Sequence, residues 1–152
     1  MNLPTDAPIG APSSAFERVQ QSFVRQGMMQ HLGARLLHVA PGECELALPY
    51  SERVTQQQGG FHGGAMGALA DIAGGYAGLT VAPEGMEVTT VEYKINFLAA
   101  FQGGELRASG KVLRAGKRII VTTAEVVHVQ PDGSTRPCAV MQQTLAPVPK
   151  TY

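Results

Sequence analysis

Asp71 is the only acid between Gln56 and Thr80, and that stretch, QQQGGFHGGAMGALADIAGGYAGLT, holds no lysine or arginine. A carboxylate in so apolar a run is either a chemical group or a badly placed one. His62-Gly63-Gly64 stands ahead of it, with the acid nine residues after the histidine. If a helix starts at the two glycines, its first N–H groups have no intrahelical acceptor and carry the positive end of the helix dipole. Such groups hold an anion or polarise a carbonyl oxygen. An acid one to two turns further on is in range of a group docked there, as nucleophile or general base.

The segment around the acid reads as a helix over 62–81. Met66, Leu69, Ala70, Ala73 and Ala77 recur at helical spacing and form one face suited to a sheet. Gly67, Asp71, Gly74 and Gly78 form a second stripe, with Gly75 beside it. Each interior glycine costs roughly 0.8–1 kcal/mol of helix stability relative to alanine, so the four cost about 3–4 kcal/mol. Such a cost points to something that comes close to this backbone: a strand, a partner helix or a ligand.

The remaining elements supply a sheet for that helix. Ser14 and Glu17 match a capping box, and Phe16, Val19 and Phe23 follow at helical spacing. This predicts a short helix at about 15–26, closed by Gly27. Ala34–Ala40 and Cys44–Leu48 read as strands around the turn Pro41-Gly42, with Pro49 ending the second. Val88–Leu98 alternates, with Val91, Tyr93, Ile95 and Phe97 on one face and Thr90, Glu92, Lys94 and Asn96 on the other. Glu105–Leu113, Ile119–Val129 and Pro137–Leu145 follow, separated by Gly103-Gly104, Ala115-Gly116-Lys117 and Pro131-Asp132-Gly133-Ser134. Tight turns between long strands predict an antiparallel meander. The class is α+β: a six-stranded antiparallel sheet covered by one long central helix, plus a short N-terminal helix.

The totals narrow the function. At 152 residues one domain is the default, taken as 14–147 between a proline-containing leader at 1–13 and a short tail at 148–152. Lys+Arg and Asp+Glu balance at 12 each, which removes the electrostatic footprint of a nucleic-acid binder. Charged residues are only 16% of the chain, against about 25% in an average domain, which hints at surface covered by a second copy. The two cysteines, Cys44 and Cys138, have no zinc-ligand spacing, so no metal site is expected. The N-terminal residues do not read as a secretory signal, and no apolar run approaches the roughly 18 residues of a membrane helix. A cytoplasmic protein without membrane contact is the expectation.

HGG, an apolar run and then LAD resembles the hotdog-fold acyl-CoA thioesterases of the PaaI and 4-hydroxybenzoyl-CoA thioesterase type. VEYKINFLAA and VLRAGKRIIVTTAEV resemble that family's third strand and following hairpin, and the likeness spans residues 14–147. It implies that Asp71 attacks the thioester or activates water, and that the Gly63 amide polarises the thioester carbonyl. The polar residue six before the histidine is Gln56. It would position water or substrate, with Gln57 and Gln58 as alternatives in the same run; many PaaI-type members carry asparagine there. Thr90, or Thr89, matches the assisting hydroxyl on the third strand. His62 and Gly64 are expected beside the substrate, and Arg114, Lys117 and Arg118 against the coenzyme A phosphates. The resemblance also implies no cofactor and a homo-oligomer, a dimer at minimum and a tetramer by expectation, with acid and amide from different subunits. Aryl-, phenylacetyl- and medium-chain acyl-CoA are the candidate substrates. The competing classes are an acyl-CoA-binding protein without catalysis and a hotdog dehydratase of 3-hydroxyacyl thioesters.

Overall fold

The computed structural model describes residues 14–152, so the leader expected at 1–13 lies outside the described residues. In chain order the elements are α1 (Ser14–Phe23), α2 (Gly27–Leu32), β1 (Arg35–Ala40), β2 (Glu43–Pro49), a short 3-10 turn (Glu52–Val54), α3 (Gly63–Leu79), β3 (Met86–Phe97), β4 (Glu105–Ala115), β5 (Ile120–Val129) and β6 (Thr135–Pro149). The six strands form one antiparallel sheet in the order β1-β2-β4-β5-β6-β3.

Helix α3 lies along this sheet, and its apolar face is buried as its spacing requires. Met66, Leu69, Ala70, Ala73 and Ala77 are all at most 4% exposed and share one core with Leu46, Leu48, Leu106, Ala108 and Val126. The sheet accepts the helix closely because Gly110 on β4 has no side chain: a Cβ there would collide with the Ala73 carbonyl. The middle of the sheet thus packs directly against the helix backbone.

The N-terminal region differs from the single helix expected at 15–26. Helix α1 stops at Phe23, and Gly27 opens α2 instead of capping α1. The left-handed glycine that a C-cap needs is Gly33, at φ 80°, whose N–H bonds to Gln30 and Met29 carbonyls. The side chain of Gln30 turns back to the Val24 carbonyl at 2.6 Å and satisfies the broken turn. Arg18 fastens α1 across the end of α3, donating to the carbonyls of Ala82 and Pro83 at 2.7 Å each.

The expected meander also needs correction. Strands β4, β5 and β6 form one, but β3 pairs with β6 at the far edge and not with β4. The reason lies in residues 98–104, which are held at the end of the sheet. Phe61 N–H donates to the Phe101 carbonyl at 2.9 Å, and Tyr50 N–H to the Gly104 carbonyl at 3.0 Å. The Phe101 ring stacks on the fully buried His128, with centroids 4.5 Å apart and planes 7° from parallel. The chain therefore crosses over, ties down the loop before α3, and leaves β3 with one free edge.

Candidate active site

Asp71 sits on the third turn of α3 and is half-buried. Thr90 Oγ1 on β3 donates to its Oδ1 at 2.7 Å. Strict alternation would turn Thr90 away from Tyr93, onto the outer face. A bulge at Val91 resolves this: Thr90 pairs with Leu145 while Glu92 pairs with Thr144, so the strand gains one residue. Thr90 and Tyr93 then both face the helix, and Glu92 points outward. Thr90, and not Thr89, is the hydroxyl brought to the acid.

A second donor was not found by reading the sequence. Gln143 on β6 is 1% exposed and donates through Nε2 to Asp71 Oδ1, to the Asp71 carbonyl at 3.2 Å and to Thr90 Oγ1 at 3.0 Å. Thr122 on β5, fully buried, donates to Gln143 Oε1 at 3.0 Å. The signal was available: residues 139, 141, 143 and 145 alternate inward as Ala, Met, Gln and Leu, and one polar member of a buried row needs partners.

The glycine stripe divides by function. A Cβ on Gly74 would collide with Gln143 Oε1 and lie 2.8 Å from Thr122 Oγ1, and one on Gly78 would collide with Leu145. For these two the close neighbour is the protein's own sheet. Gly75 is different, since nothing lies within 4 Å of a Cβ there. It borders a cavity of about 150 Å³ lined by Asp71, Thr90, Ile72, Val88 and Tyr76, and at its far end by Ser22, Gln26 and Glu87. Gln26 Nε2 donates to Tyr76 Oη at 2.7 Å, and that hydroxyl reaches Ser22 Oγ at 3.2 Å. Burial pushes the Tyr76 phenol up to about 12, so the group stays a neutral hydroxyl.

The other expected residues gather at the start of α3. His62 is the N-cap: its Nδ1 accepts from Gly64 N–H at 2.7 Å. This commits the Gly64 amide and leaves the Gly63 N–H, in the first turn, without an intrahelical acceptor. Gly63 rests against the Phe97 ring, with a Cβ there only 3.4 Å from it. Gln56 shapes a tight turn, accepting from Gly59 N–H and donating to the Gly60 carbonyl, both at 2.9 Å. Its Oε1 accepts from Gln58 N–H, while Gln57 and Gln58 are exposed. Arg114, Lys117 and Arg118 are exposed on the β4–β5 hairpin. The structure does not bring them near Gly63, since the neighbouring Ile120 packs on Gly78 at the other end of α3. Among the described residues no cluster of ligands could hold a metal.

Six antiparallel strands wrapped on one helix, with an acid on that helix, define the hotdog class. The chain belongs to the Thioesterase superfamily, whose sequence profile matches residues 58–134, and it is a thioester hydrolase. A thioesterase family protein from Silicibacter pomeroyi superimposes with a TM-score of 0.86 at 36% identity, covering 90% of this chain and 100% of that one. The 1,4-dihydroxy-2-naphthoyl-CoA hydrolase of Escherichia coli is 29% identical over 65% of this chain and 73% of its own. The Escherichia coli PaaI protein, from the phenylacetic acid degradation operon, shares the fold at TM-score 0.79 and 21% identity, over 90% of this chain and 95% of that one. No helix among the described residues is long and apolar enough to cross a membrane.

Proposed function

We propose that this protein hydrolyses coenzyme A thioesters of short or single-ring acyl groups, with Asp71 as the reacting acid. The observation that carries the reading is Asp71 itself, hydrogen-bonded by Thr90 at the wall of the 150 Å³ cavity. A cavity near that size holds a single benzene ring in other proteins, which favours a ring-sized or short acyl group over a long chain. Asp71 either takes a proton from the attacking water or attacks the thioester carbonyl itself, giving a mixed anhydride that water opens. The tetrahedral oxyanion is held by the Gly63 N–H at the helix start, and its collapse expels the coenzyme A thiolate. Gln56 offers its Nε2 to the substrate, and Arg114, Lys117 and Arg118 offer cations to the coenzyme A phosphates.

Spacing supports a site made by two copies. Gly63 and Asp71 are eight residues apart on α3, about 12 Å at a rise of 1.5 Å per residue. Two groups acting on one carbonyl each lie within about 3–3.5 Å of it. The Gly63 amide and Asp71 of one chain are too far apart for that, contrary to the expectation that the acid reaches a group docked at its own helix start. Strand β3 provides the means of association: its outer edge is unpaired, and Val91, Tyr93 and Phe97 are 61%, 43% and 50% exposed. Pairing there makes the dimer the smallest active unit, with a tetramer as the expected assembly and the cytoplasm as the expected location. The Asp71, Thr90 and Gly63 chemistry needs no cofactor.

The test is a hydrolysis assay over short-chain, medium-chain and aromatic acyl-CoAs, comparing the wild type with Asp71→Asn. Wild-type turnover should fall by about 10²–10⁴-fold in the variant. An unaffected variant would exclude Asp71 as the reacting acid. Tight binding of acyl-CoA by a wild type that turns nothing over would favour a binding protein instead.

A further inference from the structure

We infer that Gln143 is a positioning residue for Asp71, held in turn by Thr122; the inference rests on the reading of Asp71 as the reacting acid. The terminal torsion of an aspartate is soft and roughly two-fold, so an acid on a helix surface does not choose its own plane. Here Gln143 Nε2 and Thr90 Oγ1 both end on Oδ1. Among the described residues no hydrogen bond ends on Oδ2, so that oxygen is left for water or the thioester carbon.

The orientation of the Gln143 amide is fixed by its partners. The Asp71 main-chain oxygen, 3.2 Å from Nε2, can only accept, so the NH₂ end must face it. Oε1 then faces Thr122, whose hydroxyl must be the donor. Thr90 accepts from Gln143 and donates to Asp71, so protons run one way along the chain Thr122, Gln143, Thr90 and Asp71.

The fold makes two concessions to this amide. A buried glutamine is costly unless fully bonded, and the inward row on β6 is otherwise Ala139, Met141 and Leu145. Helix α3 must also carry a glycine at 74, because a Cβ there would collide with Gln143 Oε1. An amide needed only for packing could be replaced by an apolar side chain at both places. One that sets a carboxylate's plane could not.

The experiment compares Gln143→Met, which keeps volume and removes the donor, with Thr122→Val and Thr122→Ser. Steady-state kinetics on a hydrolysed acyl-CoA should show kcat down about 10–100-fold in Gln143→Met with KM nearly unchanged. Thr122→Val should lose less, and Thr122→Ser, which keeps the hydroxyl, should retain wild-type kcat. A folded Gln143→Met with wild-type kcat overturns the inference, as does a loss confined to KM. If Gln143→Met does not fold, Thr122→Val decides by the same criterion. A second arm reads no activity: the Gln143 side-chain amide protons should exchange slowly in the wild type and rapidly in Thr122→Val. Fast exchange in the wild type overturns the network. A wild type inert to every thioester defeats the proposed function instead, and leaves the exchange arm to decide the geometry.

Discussion

At the scale of single residues, the proposed chemistry is concentrated on one acid and on the groups bonded to it or standing beside it. His62 contributes as a cap, and by taking the Gly64 amide it singles out Gly63 as the amide on offer. The reactive-looking thiols are outside the site. Cys44 and Cys138 are fully buried, and loss of solvation pushes their thiols up to about 12 and about 11, with Glu45 adding to the first. Both are therefore neutral thiols at pH 8, well below those values. A thiol reagent at that pH should find none in the native protein and two after denaturation, so colour in a coenzyme A release assay comes from product. Native thiols that react within seconds would contradict this burial. The placement of Gly63 at the start of α3 and of Asp71 two turns along it was legible in the sequence, because the HGG spacing sits in one short stretch. Gln143 was not, because it lies 72 residues from the acid and only the sheet register brings the two together.

At the scale of elements, α3 was legible throughout: its apolar repeat, its start at the glycines and its fit to a sheet all appear in local spacing. What failed were features set by distant pairing. The bulge at Val91 reverses the expected side of Thr90, and nothing in VTTVEYKINF announces it. The crossing of 98–104 likewise depends on bonds to residues 50 and 61, which local spacing does not show, besides the left-handed Gly103 and Gly104. The glycine stripe, read as one surface, has two uses, and this can be measured. Gly75→Ala meets no atom within 4 Å, so it should gain up to about 1 kcal/mol of helix stability. Its new methyl group occupies the cavity, so activity should fall most for the bulkiest accepted acyl group. Gly74→Ala meets Gln143 and Thr122 and should lose about 1–3 kcal/mol. Thermal or denaturant unfolding of the two variants checks the opposite signs; destabilisation by both would show that Gly75 is packed after all.

At the scale of the whole molecule, the low charge of the chain and the open edge of β3 point the same way. Neither the partner nor the assembly was legible in local pattern, since an exposed apolar strand edge emerges only when β3 is placed at the end of the sheet. The separation of Gly63 from Asp71 makes the proposal sharp: each site would take its acid from one copy and its amide from the other. Mixed dimers of Asp71→Asn and Gly63→Pro test it directly. Proline at the first helical position keeps the helix and removes the N–H. Each variant alone should be nearly inactive. In a symmetric dimer that has fully exchanged subunits, half of the dimers are mixed and each carries one intact site, so about a quarter of wild-type turnover should return. Exchanged dimers that recover no activity would contradict a site shared between copies.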